Sequence, residues 1–394
     1  MGSGHSHDHE FEVSEKVRRF VWSAIGVCGV ITLVGLVALW PGGRDGLIDP
    51  AMLGTTTAEA EVVFTDYGPC TGTVEADRVY CEFATLEITS GDTAGDTPVL
   101  ETSLDASGAN LESGDRILVN VDRLDDGRVL YSFNDFQRGQ SMTVLVVLFV
   151  LAVLVLGRWK GAGALAGLAV SLAVLTAFAL PSLLDGNAPL LVAIVAASAI
   201  AFVAIFLAHG VTISSAVSLL SSFVCLVMTG VLGWIFVEAA NFTGYTEESS
   251  FFLNAFGVPI DARGILLAGI IIGSLGVLDD VIVTQVSAVA QLKRARPESG
   301  WRELFRPALD IGRDHVSSTV NTLFLAYAGA ALPLLLLFSE AQQSVSGVAT
   351  REVVAVEIVR ALVGSIGLVA SVPVSTLLAS LAISGREPEE RSHA

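Results

Sequence analysis

The sequence predicts a polytopic α-helical membrane protein with about eight transmembrane helices. A small extracytoplasmic β-barrel-like domain, with an OB-like form as one option, is expected between the first helix and the second. Three observations predict this. The 394 residues are 52% hydrophobic, and the apolar ones fall in blocks long enough to cross a hydrocarbon core. Residues 41–140 break that pattern with short β-rich runs, and they carry 19 acidic against 6 basic side chains. Basic residues gather in alternate loops between the apolar blocks.

Residues 1–19 form a polar tail containing His5, His7 and His9 beside Asp8 and Glu10. Alternating histidines and acids can hold zinc or nickel; a solubilising tail or an appended tag is the alternative. Residues 20–40, FVWSAIGVCGVITLVGLVALW, read as a retained first span. The run exceeds a signal-peptide core, and no small-residue cleavage site follows it. Lys16, Arg18 and Arg19 precede it, which puts the N-terminus in the cytoplasm.

In residues 41–140 the runs AEVVF, RVYCEF, LEITS, RILVNVD and RVLYSF alternate with turn signals, giving five or six strands. Most of the net charge of −18 belongs to this insert. Its acidity excludes the basic groove that nucleic acid needs, so no nucleic-acid partner is expected. Cys70 and Cys81 have ten residues between them. Outside the cytoplasm they would close a hairpin as a disulfide; two reduced thiols are the alternative.

Residues 141–384 hold seven further spans: Met142–Gly157, Gly161–Leu184, Pro189–Ala208, Val211–Val237, Gly264–Leu292, Val316–Phe338 and Ala361–Ser384. An even total returns residues 385–394 to the cytoplasm. The charges agree. Arg158 and Lys160 lie in one inner loop, and Lys293, Arg294, Arg296, Arg302, Arg306 and Arg313 in another, whereas the outer loops contain Arg263 alone. The expected location is the bacterial cytoplasmic membrane. Pro181, Pro333 and Pro373 mark kinks.

Within Gly264–Leu292, two adjacent carboxylates, Asp279 and Asp280, sit near mid-membrane. An ionised carboxylate there costs about 2.5–3.5 kcal/mol on insertion scales, so the chain must supply water, a proton, a cation or a donor. Gly273, Gly276, Asp280, Thr284 and Ser287 share one helical face, and Asp279 points about 100° away from Asp280. The glycines would bring a helix close or let this one unwind onto an ion. A cation- or proton-binding role follows; a hydrogen-bonded packing site is the structural alternative.

A second polar stretch, ALDIGRDHVSSTVN, runs into the next span. Asp314, Ser318, Asn321 and Thr322 share a face there, with His315 beside them and Arg313 available as an acid's partner. These residues are expected to complete the lining of the acid site, or to act as interfacial caps. No HExxH, P-loop or GxSxG signature appears, so an enzyme is not expected. The reading is gradient-driven or passive transport of a small ion or solute, a divalent metal first, with no required cofactor. A non-transporting scaffold or sensor is the second option. Small-residue faces permit a homodimer within the bilayer.

The stretches GILLAGIIIGSLGVLDDVIVTQVSAV and IGRDHVSSTVNTLFLAYAGAALPLLLLF resemble the YibE/F family of bacterial multispanning membrane proteins. The resemblance covers most of residues 140–384, and the preceding span and β-rich insert fit the family's layout. It implies a permease-type membrane protein in which Gly276–Asp280 and Gly312–His315 are signature elements. The histidine tail lies outside it.

Overall fold

A computed structural model describes residues 13–43, 56–71, 80–103, 110–124, 126–245, 261–340 and 344–384. His5, His7 and His9, and the tail 385–394, lie outside the described residues. The chain divides into two compact units, Asp45–Ala152 and the remainder.

The smaller unit is a five-stranded antiparallel sheet in the order β3-β2-β1-β4-β5. The strands are β1 (Thr56–Pro69), β2 (Tyr80–Ile88), β3 (Val99–Ser103), β4 (Arg116–Arg123) and β5 (Val129–Phe136). The sheet curls into a half-barrel, bringing β3 and β5 near one another. Alternation builds its core: Ala58, Ala60 and Val62 from β1, Ala84, Leu86 and Ile88 from β2, and Ile117, Val119 and Val121 from β4 face inward together. The runs RVYCEF and LEITS, expected as two strands, merge into the single strand β2, because alternation continues through Ala84 without a turn residue. The short β3 was not among the expected runs; it is five residues long, and Leu100 and Thr102 in it are buried.

Two features fasten this sheet. Cys70 and Cys81 are joined as a disulfide at the loop end of the β1–β2 hairpin. Beside it, Glu82 follows the inward register of β2 and is fully buried. Its carboxylate accepts from the Leu111 N–H at 3.1 Å and the Tyr67 hydroxyl at 3.1 Å. Glu101 takes the Thr71 hydroxyl and N–H, both at 2.6 Å, and these bonds hold its carboxyl below the usual range.

The larger unit is helical. We number its helices α1 (Glu15–Ala38), α2 (Gly139–Val174, whose first residues belong to the smaller unit), α3 (Leu180–Leu184), α4 (Pro189–His209), α5 (Ile213–Ala239), α6 (Ala262–Ala295), α7 (Trp301–Ala330), α8 (Leu332–Glu340), α9 (Val345–Ala349) and α10 (Glu352–Ile383). Among the described residues, six helical runs are long and apolar enough to cross a membrane. The protein is therefore a polytopic helical membrane protein.

Six differs from the expected eight for two local reasons. The count of six takes residues 139–184 as one run of 46 residues, but these are helices that meet at Arg158, whose φ of 50° and ψ of −129° are non-helical, at the loop expected between Met142–Gly157 and Gly161–Leu184. The chain bends sharply there: a side chain on Gly161 would meet the Val153 carbonyl, where a straight helix would separate residues eight apart by about 12 Å. The expected span Val316–Phe338 is divided at Ala331 between α7 and α8, and α7 begins far earlier in the charged stretch from Trp301. A π turn, Leu175–Ala179, precedes Pro181, but α10 runs unbroken through Pro373.

Helix α6 is the hub, packed by α4, α5, α7 and α10. Asp261 caps it by accepting from the Gly264 N–H at 2.9 Å. Gly230 and Gly233 of α5 let Ile271 and Leu267 of α6 approach to 3.4 and 3.2 Å of where a side chain would sit. The buried Gln285 ties three helices, donating to the Ala308 carbonyl of α7 at 2.6 Å and the Thr376 hydroxyl of α10 at 2.7 Å.

Two substitutions test these ties. Gln285→Leu keeps the volume but loses both bonds, and should destabilise the helical unit by about 1–3 kcal/mol, read as earlier thermal unfolding in detergent. Cys81→Ser should cost the β-unit about 3 kcal/mol, given the short loop the disulfide closes. Limited proteolysis of the full chain in a urea series reads that loss as an earlier onset of cleavage within residues 56–136.

Candidate functional site

Asp279 and Asp280 lie mid-way along the 34-residue helix α6. They point to different surroundings because adjacent helical residues diverge by about 100°. Asp280 is exposed on the face that also carries Gly273, Gly276, Thr284 and Ser287. Asp279 is half-buried and turns toward α5, with Ser222 and Cys225 as neighbours. Its Oδ1 and the Ser222 Oγ are buried neighbours, and neither closes a hydrogen bond of good geometry among the described residues. An unmet carboxylate oxygen in a low-dielectric site is costly, so the position favours an added proton or cation.

Both carboxylates border one cleft of about 440 Å³. Its walls are Gly276, Asp279, Asp280 and Thr284 of α6, Ala164, Gly167 and Ser171 of α2, and Ala204, Ala208 and His209 of α4. The walls stand close at the far side because Gly163 and Gly167 of α2 lie against the α4 backbone at Leu207 and Ala204. A second cleft of about 720 Å³ shares Ile205, His209, Val283 and Thr284 with the first. It continues past Ser287, Thr212 and Ser215 to Lys160 and Arg294. The pair forms one depression, acidic at its deep end and basic at its mouth.

The glycines of α6 do neither of the things expected of them. The helix is continuous through Gly273 and Gly276, so it is not unwound. Nothing lies within 4 Å of where a side chain on Gly276 would sit, and only the Tyr327 hydroxyl, at 3.6 Å, approaches that position on Gly273. Gly276 instead leaves the cleft open beside Asp280.

The second polar stretch is not part of this cleft. Asp314, His315, Ser318, Asn321 and Thr322 are all exposed on α7 and border neither cleft. The reason is how α7 docks. It packs through Leu304, Ala308, Gly312, Val316 and Val320, against Val277 and Val281 of α6 and against α10. That side of α6 lies roughly a quarter turn from Asp280. Arg313 does pair with an acid, Asp310, at 2.8 Å.

Ser222 is not singled out by the sequence, and Cys225 reads there as a small buried hydrophobe, as its burial bears out, yet a signal for the row exists. Ser215, Ser218, Ser222, Cys225 and Thr229 recur at spacings of three and four, and all five are buried. His209 is the last residue of α4 and sits at the junction of the two clefts. Among the described residues, one group of three His, Cys, Asp or Glu ligand atoms lies close enough to hold a metal: Cys70, Cys81 and Glu101. Its sulfurs are bonded to each other and offer no thiolate. The two carboxylates and the Thr284 hydroxyl are oxygen donors of the kind that suits a hard cation, and the His209 imidazole lies in the same wall.

No curated protein and no solved structure matches the chain. The family model described as YibE/F-like protein matches residues 145–385, which takes in α3 to α10 and the Asp279–Asp280 cleft. That match covers more than half of the 394 residues, and the chain belongs to the YibE/F-like family.

Proposed function

We propose that this protein is a permease of the bacterial cytoplasmic membrane that carries a small cation by a gradient-driven or passive route. Asp279 and Asp280 form its binding point. The reading rests on one observation above others: a buried, unpartnered oxygen of Asp279 at the wall of a cleft in the middle of a membrane-length helix. Water cannot satisfy a polar group in hydrocarbon, so such an oxygen persists where a ligand or proton meets it. Asp280 and the Thr284 hydroxyl supply further oxygens from the same face, and Gly276 leaves room for the ion. A divalent cation is the first substrate to test. The basic mouth at Lys160 and Arg294 fits a cytoplasmic opening, in keeping with the positive-inside rule. No catalytic group, cofactor or nucleic-acid partner is needed for this activity.

The outer β-unit, with β3 and β5 closing toward one another in an OB-like strand order, would control access to the cleft or bind a partner. Its independent core supports a second reading, in which the protein is a sensor or scaffold that moves nothing.

Proteoliposome flux separates the two. Under the first reading, manganese or magnesium uptake should fall about 10–100-fold in Asp280→Asn and in Asp279→Asn, since an interaction with a charged group is worth about 1.5–3 kcal/mol. Uptake that survives in the doubly substituted protein would remove the site from the pathway. Absence of cation or proton flux in the wild-type protein, under imposed gradients of either sign, would favour the second reading.

A further inference from the structure

The basic mouth of the depression holds more than membrane orientation asks for. The positive-inside rule places Lys160 and Arg294 on the cytoplasmic side, and an open surface would satisfy it. Here both border a cleft of about 720 Å³, and among the described residues no Asp or Glu lines it. Lys160 comes from α2, just past the break at Arg158, and Arg294 from the last turn of α6. The start of the 27-residue helix α5 supplies Ile213, Ser214, Ser215 and Ser218 to the same wall.

Several donors in this wall are unmet. Ser218 is 2% exposed, yet its hydroxyl has no partner among the described residues. Ser221 on the same helix shows the usual outcome, donating to the Val217 carbonyl at 2.8 Å. Lys160 makes no ion pair among the described residues. At the head of α5, the Thr212 hydroxyl takes the Ser215 N–H at 3.1 Å and the Thr212 carbonyl takes the Ala216 N–H at 3.0 Å. That leaves the N–H groups of Ile213 and Ser214 without a partner among the described residues.

We propose that this cleft binds a phosphate-class oxyanion, either free phosphate or the phosphate of an anionic lipid headgroup. Each unmet group can donate: an ammonium, an enclosed hydroxyl and two backbone amides. Together they call for an acceptor that carries negative charge. A helix N-terminus beside a basic side chain favours an anion, and a tetrahedral oxyanion offers enough oxygens to meet donors from several directions. A cation would meet Lys160 and Arg294 with no carboxylate in the wall to balance them. The site is also separate from the acid end, because Arg294 follows Asp280 by about 21 Å along α6. It stands whether or not Asp279 and Asp280 carry a cation.

Binding to the purified full chain in dodecyl maltoside tests it, with two arms for the two sources. In the first, inorganic phosphate is titrated by calorimetry against chloride at equal ionic strength. In the second, phosphatidylglycerol is added to the micelles and native mass spectrometry counts the lipids retained. Saturable binding of one molecule in either arm is expected, weakened about 10-fold or more in Lys160→Gln. Arg302→Gln removes a base of the same membrane side that lines neither cleft, and should leave the binding within about two-fold. If Lys160→Gln fails to accumulate, Ser218→Ala takes its place with a loss in the same direction. Saturation in the first arm assigns free phosphate, and retention in the second alone assigns a headgroup. Binding of neither by the wild-type chain overturns the proposal, and so does equal weakening by Lys160→Gln and Arg302→Gln.

Discussion

A helix in hydrocarbon has no solvent to satisfy its polar groups, and this constraint orders the whole helical unit. Most of its buried hydroxyls meet the constraint locally. Ser221, Ser274, Ser375 and Thr376 each donate to the carbonyl four residues back, at 2.8, 2.7, 2.7 and 2.6 Å. Gln285 meets it by spanning three helices. Against that background the buried atoms without a partner among the described residues stand out: Asp279 Oδ1 and the hydroxyls of Ser222, Thr229 and Ser380. Of these, Asp279 is the one that also borders the cleft.

The same constraint explains why α6 is the hub. It is the long helix that carries two carboxylates at mid-length, and it needs walls on all sides except where they are to be reached. Gly230 and Gly233 bring α5 close on one side, and Gln285 fixes α7 and α10 on another. The remaining face, marked by Gly276, Asp280, Thr284 and Ser287, is left to the cleft. Gly163 and Gly167 of α2 then set how near the opposite wall can come to α4.

Much of this was legible in the residues, and the failures have physical causes. Periodicity alone put Gly276, Asp280, Thr284 and Ser287 on one face, because a helical face depends only on spacing. It could not say that the face of α7 bearing Asp314, Ser318 and Asn321 turns elsewhere. Polarity records that a residue avoids lipid; it does not record whether a cleft or solvent receives it. Ser222 goes unread, and Cys225 reads only as a buried hydrophobe, because each is small singly and only the buried row from Ser215 to Thr229 sets them together. In the β-unit, alternation carried the strands well where it was long. It split β2 at Ala84 and missed β3, where five residues give too few alternations to register. The break at Arg158 falls where Arg158 and Lys160 mark a loop in the sequence, whereas the break at Ala331 leaves no compositional trace.

The bond between Cys70 and Cys81 has a consequence for strand alignment. In the β1–β2 ladder Gly68 opposes Cys81 and Pro69 opposes Tyr80. Side chains along a strand alternate with a period of two, so sliding β2 by a single residue would expose Ala84, Leu86 and Ile88 and bury Thr85 and Glu87 instead. The bulge between Val62 and Phe64 already loosens the pairing partway along β1. A covalent link at the hairpin's loop end makes that slide unavailable, because it would carry Cys81 about 3.3 Å along the strand from its partner. The disulfide thus acts as an index mark, holding the two strands in the one alignment that keeps Glu82 beneath Leu111.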